Sequence, residues 1–310
     1  MQMAPDCVPC ILRVLLSAVR SSEPGGPGAE KDLFAELLRL PALAGEAWET
    51  TPPEAIEEGL ARIRSRTGVW DPFRRAKERE VEGAKPVVSA LEEEVRGAPR
   101  PLEALVGLWC AGNALDLMVH PEGTKDVEGA VRGKLDRPIQ GDGATAALEL
   151  FRTARRVVCL GDNAGEAVFD RLAIETLAET TGAEVTYVVR GEPTLNDVTE
   201  EEARWVGLDK VCRVIPNGIR GPLPGTILAR CSEEVRERVR QADLVLSKGG
   251  GNLDTVHEYG SLGRPTVFLF QAKCAVHERR LGVATGGPVV LVGDGKPAGA
   301  VREGARGAGR

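Results

Sequence analysis

The stretch that decides the fold is Val157-Val158-Cys159-Leu160-Gly161-Asp162-Asn163-Ala164-Gly165-Glu166. A short run of apolar, β-branched-rich residues ends abruptly at glycine, aspartate and asparagine, and a helical pattern follows through Leu177. A strand that closes on turn chemistry and feeds a helix is the unit of a parallel α/β sheet. The unit then recurs. Further apolar runs lie at Val185 to Val189, Val211 to Ile215, Leu244 to Leu246, Thr266 to Phe270 and Val289 to Val292. They are nearly continuous rather than alternating, as strands are when helices cover both faces of the sheet.

Upstream the pattern is helical. Apolar residues recur at helical spacing through Ile11 to Val19, Leu33 to Leu40, Ala55 to Ile63 and Leu102 to Met118. The Pro- and Gly-rich segment from Ser21 to Gly28 reads as a loop. Thr51-Pro52-Pro53 should introduce a helix, and Asp71-Pro72 another with Asp71 as its N-cap. The expected organisation is a helical domain over residues 1–150, a Rossmann-like α/β catalytic domain over 151–295, and a disordered Gly- and Arg-rich tail over 296–310.

In 310 residues about three quarters of the unfolded chain's surface can be buried, so no disulfide framework is required. Seven cysteines, an odd number, argue for reduced thiols. The net charge of −6, with both signs interspersed, offers no stripe for a nucleic-acid backbone. Neither a secretory signal nor an apolar span of membrane length is present, and a cytoplasmic location is expected. Oligomeric state is open.

Ligands of a doubly wound sheet bind outside the carboxyl ends of its strands. Asp162, Asn163 and Asp197 lie there and offer hard oxygen donors suited to Mg²⁺, Mn²⁺ or a similar divalent ion. Equally, Asp162 and Asn163 could cap a helix, with Asn196-Asp197 forming an Asx turn before Thr199, and on spacing alone this is the stronger reading. Ser247-Lys248-Gly249-Gly250-Gly251-Asn252 can form an anion-binding nest at a helix start, or simply a close strand-to-helix turn. Lys273, which closes the next strand, favours phosphate. No P-loop, G-x-G-x-x-G or Asp-x-Asp pattern is found, which disfavours nucleotidases, ordinary dehydrogenases and phospho-aspartate hydrolases.

Together these pieces resemble the damage-control phosphatase family, also known as domain of unknown function 89, in its archaeal and bacterial branch. The resemblance is carried by Cys7-Val8-Pro9-Cys10, Asp71-Pro72-Phe73, Gly112-Asn113 with Asp116, the Gly161 to Glu166 run, Val189 to Asp197, Pro224-Gly225-Thr226, Ser247 to Asn252 and Ala272-Lys273-Cys274. It implies a helical domain set on a Rossmann-like domain and hydrolysis of small phosphomonoesters such as sugar phosphates. A divalent cofactor (Mg²⁺, Mn²⁺, Co²⁺ or Ni²⁺) would be held by Asp162, Asn163 and Asp197. Ser247 to Asn252 would bind the phosphate, and Lys273 would neutralise charge in the transition state. Asp197 or Glu166 would orient or deprotonate the attacking water, and Asn113 and Asp116 would reach the substrate. Glu78 and Glu80 stand where relatives often carry asparagine.

Cys7 and Cys10 lie one helical turn apart. They read as packed thiols, a redox pair, or half of a tetrahedral metal site whose other members would be Cys110 and Cys274. His120, His257 and His277 read as surface or capping residues. Two other functions fit the pattern less well: a regulator that binds a sugar phosphate without cleaving it, and an S-adenosylmethionine-dependent methyltransferase, which would want a glycine-rich first loop.

Overall fold

A computed structural model describes residues 1–23, 25–113, 115, 126–135, 137–260 and 262–293. The first helices are α1 (Cys7–Ser21), α2 (Pro27–Leu37), α3 (Pro41–Ala44) and α4 (Pro52–Thr67). In α1 the residues Ile11, Val14, Leu15, Ala18 and Val19 are buried at helical spacing, forming one apolar stripe. That stripe packs on α4, where Gly59 lets Leu15 approach the backbone. Helix α4 begins at Pro52, where the sequence predicts a helix start, and Thr51 and Glu54 close it with a reciprocal capping box that the sequence reading does not include.

The longer helices α5 (Arg74–Arg96) and α6 (Pro101–Gly112) follow, then α7 (Val127–Leu135) and α8 (Ala144–Thr153). Asp71 is not the N-cap of α5, a place taken by Phe73. Instead Asp71 accepts a hydrogen bond from the Phe73 N–H at 3.1 Å and pairs with the buried Lys77 at 2.6 Å. Its carboxylate is thus drawn to a buried cation rather than to the helix end. Helix α6 stops at Gly112, short of the expected Met118, so Asn113 is its C-cap. Asp116, His120 and the 296–310 tail lie outside the described residues.

The second half runs β1 (Arg156–Leu160), α9 (Glu166–Thr181), β2 (Glu184–Val189), α10 (Glu200–Val206), β3 (Arg213–Pro216), α11 (Glu233–Gln241), β4 (Leu244–Lys248), α12 (Gly249–Tyr259), β5 (Thr266–Gln271), α13 (Ala275–Leu281) and β6 (Pro288–Gly293). The sheet order is β3-β2-β1-β4-β5-β6. All neighbours are parallel except β5 and β6, which are antiparallel. Strand β3 begins two residues later than its apolar run, because Val211 ends a short 3₁₀ turn.

Successive residues of β1 face opposite sides. Val157 and Cys159 enter a core shared with α5, α6, α8 and α9, whereas Val158 and Leu160 enter one shared with α11 and α12. Both faces are therefore covered, which explains the unbroken apolar runs. The chain leaves β1 toward β2 on one side and later returns to β4 on the other. The loops after β1 and β4 diverge there and open a crevice at the carboxyl edge. Among the described residues no helix is long and apolar enough to cross a membrane.

Candidate functional site

Backbone pairing between two loops assembles the site. After β1, the Asp162 carbonyl accepts from the Val198 N–H at 2.8 Å, and the Ala164 N–H donates to the Asn196 carbonyl at 2.7 Å. Asn163 and Asp197 pair as an isolated antiparallel bridge. Residues 34 apart in sequence are thereby held side by side, and Asp162, Asn163, Asn196 and Asp197 all line one cavity of about 260 Å³. Leu195, in the same loop, holds a left-handed φ of 43° although it is not glycine. Such a conformation costs on the order of 1–3 kcal/mol and persists only where surrounding structure imposes it.

The capping explanation does not describe this geometry. Gly165, not Asp162 or Asn163, occupies the N-cap of α9, and no side chain caps that helix. Helix α10 is capped by Thr199 with Glu202 rather than by Asn196-Asp197.

Asp162 is buried. Its Oδ2 accepts from Asn113 Nδ2 at 3.0 Å and Asn163 Nδ2 at 3.2 Å, and its Oδ1 lies 3.5 Å from Arg190 Nη2. Burial pushes its carboxyl well above the usual carboxylate range; Asp197 and Glu166 push the same way, and Arg190 and Lys273 oppose them. Arg190 is the hub. Its Nε donates to Asp197 Oδ2 at 2.6 Å, and its Nη1 donates to the Gly225 carbonyl and to Asn252 Oδ1, each at 3.0 Å. Lys273 Nζ, at the cavity wall, donates to Asn113 Oδ1 at 3.2 Å.

These donors suit a hard divalent cation. The oxygens are carboxylate and amide, and the repulsion that raises Asp162 is what a cation would relieve. Among the described residues no three Asp, Glu, His or Cys side chains form a ready ligand cluster, so a bound ion would need an amide oxygen such as that of Asn163 beside the two aspartates.

The phosphate nest is only partly built as expected. Lys248 is fully buried, and its Nζ pairs with Glu166 and, at 2.5 Å, with Asp170, whose Oδ2 also accepts from the Tyr187 hydroxyl. The ammonium therefore points into the protein, because two buried carboxylates hold it there. Glu166 is likewise fully buried behind the cavity, where it accepts from Asn113 Nδ2 at 2.9 Å. Asn252 ties loops together, donating to the Gly161 and Lys248 carbonyls while accepting from Arg190 and from Thr226 at 2.8 Å. Ser247 Oγ is buried without a hydrogen-bond partner among the described residues.

Gly249 has φ +77°, and a Cβ there would collide with the Asp162 carboxylate; one at Gly251 would collide with the Pro224 carbonyl. Close packing accounts for these two glycines. Only Gly250 and Gly251, in the first turn of α12, reach the cavity. A helix's first N–H groups have no intrahelical partner and favour an anion.

Sequence reasoning gives several residues in and behind the cavity no role. Arg190 closes β2 behind the cavity lining; it falls within the Val189 to Asp197 run, but nothing local marks it as the hub. His277, expected at the surface or as a cap, is buried and lines the cavity together with Asp254 and Cys274. Cys7 and Cys10 line it too, whereas Cys110 sits in the core and does not join them. No local pattern links α1 to the end of β5.

The profile of the family described as the damage-control phosphatase ARMT1-like domain matches residues 3–289 of this chain. A damage-control phosphatase of Archaeoglobus fulgidus is 32% identical over 302 residues, spanning 94% of this chain and 99% of that protein. A damage-control phosphatase of Pyrococcus horikoshii is 31% identical over 223 residues, 71% of this chain and 74% of that one. A crystal structure of a domain-of-unknown-function-89 protein from Pyrococcus horikoshii superposes with a TM-score of 0.80 at 28% identity, covering 94% and 99% of the two chains.

Proposed function

Because the chain belongs to the damage-control phosphatase family, we propose that it hydrolyses a phosphomonoester of a small damaged metabolite, a sugar phosphate or a close chemical relative. The observation that carries this reading is the convergence of Asp162, Asn163, Asp197 and Lys273 on one cavity at the carboxyl edge of the sheet. Asp162, Asn163 and Asp197 would hold a divalent ion (Mg²⁺, Mn²⁺, Co²⁺ or Ni²⁺). When bound, such an ion would polarise the phosphoryl group and acidify a water molecule.

The chain's own groups supply the rest. Lys273 would neutralise charge on the equatorial phosphoryl oxygens, and the N–H groups of Gly250 and Gly251 would receive one of those oxygens. Asp197, fixed by Arg190, orients the attacking water and takes its proton as the phosphorus–ester oxygen bond breaks. Glu166 acts at one remove by positioning Asn113. Ile11, Ile56 and Val276 form an apolar wall for the organic part of the substrate.

Phosphate release from p-nitrophenyl phosphate and a panel of sugar phosphates tests the proposal. Chelator-treated protein would be assayed with each of the four ions restored, beside Asp162→Ala and Asp197→Ala. Turnover that returns with an ion and falls at least a hundredfold in both variants is the expected result. No release with any ion from folded protein that still binds phosphate ligands would identify a binding protein instead.

A further inference from the structure

Phosphoryl chemistry would occupy one wall of the cavity. The same cavity is also lined by Cys7 and Cys10 of α1 and, at the start of α13, by Cys274 with His277. Cys274 is the N-cap of α13, and its Sγ accepts from the His277 N–H at 3.5 Å. The His277 ring is buried. Its Nε2 lies 3.0 Å from Asp254 Oδ1, and its Nδ1 has no hydrogen-bond partner among the described residues. A ring held by a carboxylate at one nitrogen presents the other to a nucleophile, and here the neighbouring nucleophile is the Cys274 sulfur.

The electrostatics agree. Burial works against a charge on His277, but Asp254 and Cys274 outweigh it and raise the ring to about 10, so it is an imidazolium at neutral pH. Burial also works against the Cys274 thiolate, yet the His277 side chain and backbone N–H overcome it and bring the thiol below its ordinary value. Burial instead raises Cys7, which the charge on Cys274 raises further. It also raises Cys110, Cys159, Cys212 and Cys231.

We propose that Cys274 is an activated thiol, paired with His277 and Asp254, that reacts with hydroperoxides and soft electrophiles entering the cavity, and that Cys7 resolves its oxidised form as a disulfide. In the first step the Cys274 thiolate attacks one peroxide oxygen. The O–O bond breaks, sulfur gains oxygen as sulfenic acid, and the departing oxygen leaves as water or alcohol after protonation. In the second step Cys7 sulfur attacks Cys274 sulfur, the S–O bond breaks and water leaves. The product joins α1 to the start of α13 at the cavity lining and would narrow the cavity for substrate. That last consequence rests on the phosphatase reading, whereas the thiol chemistry does not.

The test labels reduced, full-length protein with limiting iodoacetamide, followed by peptide mass spectrometry of the seven cysteines. Around the reacting pair, Asp254 of α12, Cys7 of α1, the adjoining Lys273, the Met1 amine on the Asp254 carbonyl, and Arg280 of α13 set the local charge. Cys274 should label at least tenfold faster than Cys10 at pH 7, with His277→Gln slowing it at least tenfold. Asp254→Asn supplies a second variant should His277→Gln fail to fold. With equimolar hydrogen peroxide, a Cys7–Cys274 crosslinked peptide is expected, and in Cys7→Ser a sulfenic acid trapped by dimedone at Cys274. Faster labelling of Cys10, rates unchanged in every folded variant, or a Cys7–Cys10 crosslink would overturn the proposal.

Discussion

Arg190 Nε donates to Asp197 Oδ2 at 2.6 Å, and each side chain is only 3% exposed. Removing one member of a buried pair strands the other, at a cost of about 3–5 kcal/mol. Arg190→Met should lower stability by that order, read as a lower urea midpoint. Arg190→Lys should restore little, because a single ammonium cannot replace the guanidinium bonds to Asp197, the Gly225 carbonyl and Asn252. A midpoint unchanged in Arg190→Met would refute the hub assignment.

On the phosphatase reading, Asp162 would trade stability for chemistry. Its carboxyl is raised by burial and by Asp197 and Glu166. A neutral amide there removes that repulsion, so Asp162→Asn should melt at or above wild type in chelator while phosphate release falls about a hundredfold or more. A melting temperature clearly below wild type would show that the carboxylate is a net stabiliser.

Neighbouring glycines should behave differently. Gly249→Ala forces a Cβ into the Asp162 carboxylate at φ +77°, whereas a Cβ at Gly250 meets only His277 Cε1, at 3.3 Å. Thermal melts should show Gly249→Ala destabilised by roughly 2 kcal/mol or more and Gly250→Ala close to wild type. Equal losses would mean that the turn does not discriminate between the two positions.

Asp170 should leave a signature in pH. Burial raises its carboxyl from 3.8 to about 6 despite Lys248, with Glu166 adding to the rise. Between those values the native state binds the extra proton, so this residue's contribution to stability falls as pH rises from about 4 to 6. At ~1.4 kcal/mol per pKa unit the ceiling is about 3 kcal/mol. Asp170→Asn should flatten that part of the curve of urea midpoint against pH; a slope equal to wild type would exclude Asp170 as its source.

Strand positions, helix α1 and the start of α4 were legible because local physics sets them. Apolar runs bounded by Gly161 or Arg190, a stripe at helical spacing, and Thr51 before two prolines each act within one element. Asp71 was misread for a related reason: an aspartate before a helix is a good cap until a distant cation competes, and Lys77, itself shared with Glu202, does so at 2.6 Å. The roles of Asp162, Asn163 and Asp197 were visible only as alternatives. Cap and ligand demand the same residue types, and the choice depends on the pairing of two loops.

The sequence by itself determined the α/β class, the position of the carboxyl edge and the carboxylates and lysines available there, since these depend on periodicity and turn chemistry within a few residues. The tertiary structure alone decided which of them share the cavity. Lys248 turns inward because Glu166 and Asp170 form a buried counter-charge, Lys273 stays at the wall, and Arg190 becomes the hub. Cys274 meets His277 and Asp254 because α12 and α13 converge beside β5. Burial and charge pairing act between residues brought together only by folding, so no local window of sequence could have assigned those roles.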